Sequence, residues 1–284
     1  MRTVYVNGDY VPEDQAKVSV FDRGFLFADG VYEVTSVLDG KLIDFGGHCK
    51  RLRRSLGELD MRLDLSDEDL LAIHRELIER NDIDEGMIYL QVTRGAADRD
   101  FVFPPEDTPP TVVLFTQKKP LMESALAARG QKVITIEDKR WSRCDIKTVQ
   151  LLYPSLAKME AKAKGADDAW LVRDGFVTEG SSNNAYIVTS DGTIVTRDIS
   201  SLILSGITRQ AVLECARDLQ MKIEERPFSV EEAESAVEAF STSASGFVLP
   251  AVEIDGKPIG DGKPGPVATR LRSVYIDKMR QAAI

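Results

Sequence analysis

Cysteine and histidine are scarce. Among 284 residues there are three cysteines, Cys49, Cys144 and Cys215, and two histidines, His48 and His74. The cysteines lie far apart and no C-x-x-C pair occurs, which argues against a disulfide framework and against a Cys/His metal site. Basic charge is also short: 36 Lys and Arg face 46 Asp and Glu, a formal net charge of −10. Nucleic-acid binding and polybasic membrane binding both need basic surface, so neither partner class is expected. No apolar run reaches the roughly 18 residues that a membrane-spanning helix needs. The opening stretch MRTVYVNGDYV has no apolar signal-peptide core, so a cytoplasmic location is the expectation. Repeats and low-complexity tracts are missing as well. With 43% hydrophobic and 29% charged residues the chain is an ordinary globular one, and at about 150 residues per domain its length suits two domains.

What is present is a succession of hairpins and amphipathic helices. Thr3-Val4-Tyr5-Val6, then Asn7-Gly8-Asp9, then Tyr10-Val11 is a strong short hairpin signal. A second hairpin turns at Asp39-Gly40, after an alternating run from Val31 to Leu38. Leucines at helical spacing predict a helix over 48–59. Ser66-Asp67-Glu68-Asp69 caps another over 66–80, with acidic residues facing the positive end of the helix dipole. Strands are expected over 87–93 and 111–116. The stretch 117–130, with Lys118, Lys119, Pro120 and an alanine-rich piece, reads as a linker or short helix. Strands over 132–136, 168–172, 176–178, 185–189, 193–196 and 239–242 follow, with helices over 155–164, 207–219, 230–236 and 266–281. The expected fold is α+β, two domains with mostly antiparallel sheets built from hairpins, and not a regular βαβ winding. The expected division is 1–119, a linker at 120–130, and 131–284.

Five segments could carry chemistry. Lys147 sits among apolar and β-branched neighbours in Asp145-Ile146-Lys147-Thr148-Val149. Burying an ammonium is costly and favours the neutral amine, the form that condenses with a carbonyl. An edge-strand lysine facing solvent is the plain alternative. Glu179 ends a strand before the polar turn Gly180-Ser181-Ser182-Asn183, well placed to hold a cationic nitrogen, or else simply a loop carboxylate. Ser205-Gly206-Ile207-Thr208-Arg209 opens an amphipathic helix, whose first N–H groups could bind a phosphate or be ordinarily capped. Ser241-Thr242-Ser243 adds hydroxyls. In His48-Cys49-Lys50-Arg51-Leu52-Arg53-Arg54 most of the charge reads as a solvated helix face. One arginine turned inward could pair with a phosphate, and His48 reads as a hydrogen-bonded structural residue.

Taken in order, Asp22-Arg23-Gly24, Gly30-Val31-Tyr32-Glu33, His48 with Arg51-Leu52, Asp145-Ile146-Lys147, Thr178-Glu179-Gly180-Ser181 and Ser205-Gly206-Ile207-Thr208-Arg209 resemble the fold-type IV pyridoxal-phosphate enzymes. That group includes D-amino-acid and branched-chain aminotransferases, (R)-amine transaminases and aminodeoxychorismate lyase, and the likeness is greatest to the D-amino-acid aminotransferases. The resemblance spans nearly the whole chain. It implies pyridoxal 5'-phosphate as cofactor, with Lys147 as its covalent anchor and proton shuttle. It implies Glu179 as partner of the pyridine nitrogen, and Arg51, Ile207, Thr208 and Thr242 as the phosphate cup. Tyr32 and Arg99 would trap the substrate carboxylate, the loop of Arg99 reaching in from a second subunit, so a homodimer is implied. No metal is implied.

One departure bears on the substrate. The D-amino-acid enzymes usually read Arg-x-His in that loop, whereas here Arg99-Asp100-Phe101 puts a phenylalanine at the histidine position. Phe101 cannot hydrogen-bond a carboxylate, which leaves room for (R)-primary amines beside D-amino acids and a 2-oxo acid acceptor. The alternatives that stay open are an L-branched-chain aminotransferase, a lyase of aminodeoxychorismate type, and a catalytically silent dimeric binding protein on the same scaffold.

Overall fold

The computed structural model describes residues 1–284. The chain divides into two compact units, each with its own sheet. The first comprises Met1–Pro120, Ile146–Gln150 and Ala282–Ile284, the second Leu121–Asp145 and Leu151–Gln281.

The first unit contains β1 (Thr3–Val6), β2 (Asp9–Pro12), α1 (Arg23–Phe27), β3 (Gly30–Leu38), β4 (Lys41–Leu42), α2 (Phe45–Glu58), α3 (Asp67–Asn81), β5 (Gly86–Thr93) and β6 (Thr111–Lys118). Asn7 and Gly8 both take positive φ, 49° and 110°, the tight-turn geometry that Asn-Gly tolerates best, and this sets Val6 opposite Asp9. The six strands run β2-β1-β6-β5-β3-β4 and every pair is antiparallel. Apolar faces of the two longer helices, including Leu52, Leu56, Leu70 and Leu77, join Val31, Ile88, Leu90 and Leu114 of the sheet in one core. Ser66 caps α3 reciprocally: its Oγ accepts from Asp69 N at 3.1 Å, and Asp69 Oδ2 accepts from Ser66 N at 2.9 Å. Helix α2 starts three residues before the expected 48, because buried Phe45 anchors a first turn that Gly46-Gly47 does not break. The segment Ile146–Gln150 is not a strand. It runs beside β3 as a strap, with Tyr32 N donating to Lys147 O and Val149 N to Gly30 O, both at 3.0 Å.

The second unit contains α4 (Ala125–Arg129), β7 (Gln131–Glu137), α5 (Leu152–Ala163), β8 (Asp168–Arg173), β9 (Phe176–Gly180), β10 (Asn184–Val188), β11 (Ile194–Thr196), α6 (Ile207–Asp218), β12 (Ile223–Glu225), α7 (Val230–Glu234), β13 (Glu238–Ser243), β14 (Phe247–Ile254), β15 (Lys257–Pro258) and α8 (Pro266–Ala282). Ser124 caps the short α4, which occupies the stretch read as a linker. The strand order is β12-β11-β10-β13-β14-β7-β8-β9, with β15 on β14. Five pairs are antiparallel, and three, at β12, at β14 with β7 and at β7 with β8, are parallel. The α+β class with hairpin-built, mostly antiparallel sheets therefore holds. No helix is long and apolar enough to cross a membrane.

Candidate active site

In the first unit the strap along β3 brings Lys147 to Tyr32. The Lys147 amine lies 4.1 Å from the centre of the Tyr32 ring, and its backbone N donates to Ser55 Oγ at 3.3 Å. Lys147 is half-buried, not fully buried as its neighbours suggested. One residue beyond Tyr32, Glu33 points to the opposite face and is buried. Arg51 grips it with two parallel bonds, Nε to Oε1 and Nη2 to Oε2, each 2.7 Å, and His48 Nδ1 sits 2.7 Å from Oε2. Residues 48 and 51 lie one turn apart on α2, so both reach the same carboxylate. Burial alone would raise the Glu33 carboxyl. The Arg51 guanidinium and His48 outweigh that and hold it down at about 2. Arg51 is thus turned inward and fixed by Glu33, a partner that its own helix did not reveal, while His48 is the buried, hydrogen-bonded residue expected. Arg99 stands on an exposed segment after β5, against the rings of Phe27 and Phe101 at 5.3 and 5.6 Å.

In the second unit four sequence-distant pieces meet. Glu179, at the end of β9, is buried. Its Oε1 accepts from Arg140 Nη1 at 2.6 Å, and its Oε2 accepts from Asn184 Nδ2 and Leu204 N, each at 3.1 Å. Burial pushes this carboxyl above its ordinary value, and Arg140 pulls against the rise. Arg140 is itself clamped by Asp138, with Nε to Oδ1 at 2.9 Å and Nη2 to Oδ2 at 2.8 Å. Three bonds occupy three of the roughly four acceptor positions of a carboxylate, which leaves Oε1 able to take one more N–H. Asn184 ties this carboxylate to the rest. It pairs with Thr242 across β10 and β13, and its side chain also donates to Leu204 O at 2.9 Å. The turn then enters α6 through Gly206, an N-cap with no side-chain capping bond, followed by buried Ile207 and Thr208. A Cβ on Gly206 would fall 2.1 Å from Asn184 Oδ1, so only glycine admits this approach. A helix start without a capping side chain, with a threonine in its first turn, is the kind of cradle an anion occupies. Thr242 Oγ1 is 3.1 Å from Tyr186 OH.

Sequence reasoning passed over Arg140, Asn184 and the pairing role of Glu33. Arg140 stands 39 positions from Glu179 and is brought to it only by β7, β8 and β9 lying side by side. The one signal available was the charge itself, an arginine two residues after Asp138.

Comparisons with known proteins agree on the family. Residues 30–254 match the family described as amino-transferase class IV. A D-alanine aminotransferase of Staphylococcus aureus (strain N315) is 40% identical over 275 residues, 97% of either chain. A D-alanine aminotransferase of Bacillus licheniformis is 38% identical over 271 residues, 95% of this chain and 94% of that one. Among solved structures, a T.th. branched-chain amino acid aminotransferase with pyridoxamine 5'-phosphate superposes with a TM-score of 0.90 at 30% identity, covering 98% of this chain and 94% of the other. The chain belongs to the class IV aminotransferases.

Proposed function

We propose that the chain is a pyridoxal-phosphate-dependent D-amino-acid transaminase that passes the amino group to a 2-oxo acid, with side activity on (R)-primary amines. The observation that carries this reading is the likeness to D-alanine aminotransferases over nearly the full length. The residues present fit the cofactor: Glu179 retains one acceptor position for a protonated ring nitrogen, and the glycine-entered start of α6 suits a phosphate. When bound, pyridoxal phosphate supplies an aldehyde that condenses with amines and a ring that withdraws electrons. Lys147 holds it covalently and moves a proton at the donor's Cα. Glu179, kept in place by Arg140, Asn184 and Leu204 N, holds the ring nitrogen in its charged form. Ile207, Thr208, Thr242 and Arg51 hold the phosphate, and Tyr32 and Arg99 hold the donor carboxylate.

A homodimer is part of the proposal. Phe21, Phe25, Phe101 and Phe103 are exposed on the first unit, Phe25 at 74% and Phe101 at 79%. Phe101, Val102 and Phe103 are consecutive, and contiguous exposed apolar side chains mark association surfaces. A cytoplasmic setting is also part of the proposal; Cys49, Cys144 and Cys215 are all buried and none is in a disulfide. The two domains are proposed to follow the division at 1–119 and 131–284 in the main, with Lys147 carried on a strap of the first unit.

The branched-chain reading has one observation in its favour, the high TM-score with an enzyme of that name. A single assay separates the two. With 2-oxoglutarate as acceptor, D-alanine is expected to yield pyruvate and L-leucine to yield no 2-oxo acid. Turnover of L-leucine above every D-amino acid overturns the D reading. With aminodeoxychorismate and no acceptor present, release of many pyruvates per active site indicates the lyase, because a transaminase without acceptor stops after one amino transfer.

A further inference from the structure

Asp22-Arg23-Gly24 is part of the resemblance and lies outside the residues assigned to cofactor or substrate. Its arginine is 3% exposed, and its charged end faces the segment that carries Arg99. Arg23 Nε donates to Asp29 Oδ2 at 2.8 Å, and Nη1 donates to the backbone oxygen of Asp100 at 2.7 Å. Asp29 Oδ2 also accepts from Arg94 Nε at 2.8 Å, so one carboxylate fixes two guanidinium groups. Arg94 in turn lies 3.7 Å from the centre of the Phe103 ring. Phe27 completes the arrangement. Arg23 stacks on it at 4.5 Å, Arg99 approaches it at 5.3 Å, and Phe101 packs edge-on against it at 5.7 Å. On the segment backed in this way Phe101, Val102 and Phe103 are still 79%, 74% and 57% exposed. An exposed segment held from behind at three points, with a buried ion pair as the anchor, is built to present side chains outward in one geometry.

We infer that Arg23 is a positioning residue for donor recognition: its bond to the Asp100 carbonyl and its stack on Phe27 hold the 98–104 segment so that Arg99 meets the substrate carboxylate. The inference rests on the proposed role of Arg99. Asp22 fixes the other end of the same device, because its Oδ1 accepts from Gly24 N at 2.8 Å and its Oδ2 from Thr93 Oγ1 at 2.7 Å. Arg23 is thereby launched from a turn that is tied to the end of β5, where the Arg99 segment begins.

The test uses the holoenzyme and the variants Arg23→Lys, Arg99→Ala and their combination. Lysine keeps the charge toward Asp29 but has no fork to reach the Asp100 carbonyl at the same time. Hydrogen–deuterium exchange is expected to rise at least about fivefold across 98–104 in Arg23→Lys and to stay unchanged in β6. The KM for D-alanine is expected to rise about tenfold with kcat within about twofold, a size typical of a misplaced orienting group. Cofactor affinity, read by titration, is expected to be unchanged. The double variant is expected to be no worse in KM than Arg99→Ala alone, because residues acting through one another are not additive. Unchanged exchange over 98–104 overturns the inference, and so do additive KM effects. If Arg99→Ala leaves the KM for D-alanine unaltered, it is the role of Arg99 that fails, and exchange alone then decides whether Arg23 holds the segment. Phe27→Leu is the second variant. It loosens the same segment without unpairing a buried charge, and a smaller rise in both readouts is expected.

Discussion

Glu33 and His74 set opposite ends of an acid-sensitivity profile. The Glu33 carboxyl, ordinarily at 4.5, is held at about 2 in the fold, with burial opposing and Arg51 and His48 responsible for the drop. A folded value below the unfolded one means that the stabilisation is complete above about pH 4.5 and is lost as pH falls toward 2; the depression corresponds to about 3 kcal/mol. His74, fully buried with its Nδ1 on Leu70 O, is pushed by burial from 6.5 down to about 4. Its neutral form is favoured in the fold, so its contribution is complete above pH 6.5 and declines toward pH 4. Urea unfolding between pH 7 and 2.5 is expected to show both declines. Glu33→Gln should remove the lower one and lose stability at pH 7, and His74→Gln should remove the upper one. The chemistry is tested at the same scale. Lys147→Ala is expected to keep the fold by circular dichroism and to lose more than about a thousandfold in turnover, within the range for removing a proton-transfer group that is also the covalent anchor. Glu179→Gln is expected to retain the cofactor in titration and to slow single-turnover reaction with D-alanine. An unchanged rate would remove Glu179 from its role.

At the scale of elements, legibility followed locality. The helices α3 and α6 could be read because their caps and apolar periods lie within a few residues of each other, and the hairpin at Asn7-Gly8 because its turn type demands those residues. Strand β14 was not legible. Pro250 interrupts its apolar run, and it is tolerated there because pairing to β7 begins only at Ala251, so the missing N–H is not asked for on that side. The three-residue β12 and the five-residue α1 are too short for any period to register. Site residues divide the same way. Glu179 and the Gly206 turn stood out by local chemistry, whereas Arg140 and Asn184 enter only through strand order and register. The Gly206 turn yields the prediction that belongs to this scale. A methyl group 2.1 Å from Asn184 Oδ1 must displace the side chain that joins Glu179 to the Leu204 carbonyl. Gly206→Ala is therefore expected to raise the cofactor dissociation constant at least about tenfold, the equivalent of one lost hydrogen bond in a buried network, as measured by titrating the apoenzyme. Unchanged affinity would place the phosphate elsewhere.

For the whole molecule the question is whether one chain suffices. Arg99 and Phe101 project from the first unit on a segment backed by Arg23, Phe27 and Arg94, and their outward faces are bare. A rigid segment that displays an arginine beside exposed phenylalanines is poorly suited to a solitary chain, because the apolar rings stay in water, and well suited to an isologous dimer in which each copy receives the other's segment. Light scattering on the eluting protein is expected to give twice the chain mass, and Phe25→Asp to shift it toward the monomer with loss of activity. Complementation decides whether Arg99 serves its own chain or its neighbour's. Lys147→Ala and Arg99→Ala proteins are mixed, unfolded and refolded together, and assayed at D-alanine far below KM, where both parents are weak. Random pairing in a two-fold dimer makes half the molecules mixed. If Arg99 acts across the interface, each mixed dimer holds one site with both residues intact and one with neither, and activity recovers to about a quarter of wild type. If Arg99 serves its own chain, each site in every mixed dimer lacks one of the two residues and the mixture gains nothing over its parents. Recovery near a quarter is the expected result, and its absence would return the Arg99 segment to the chain that carries it.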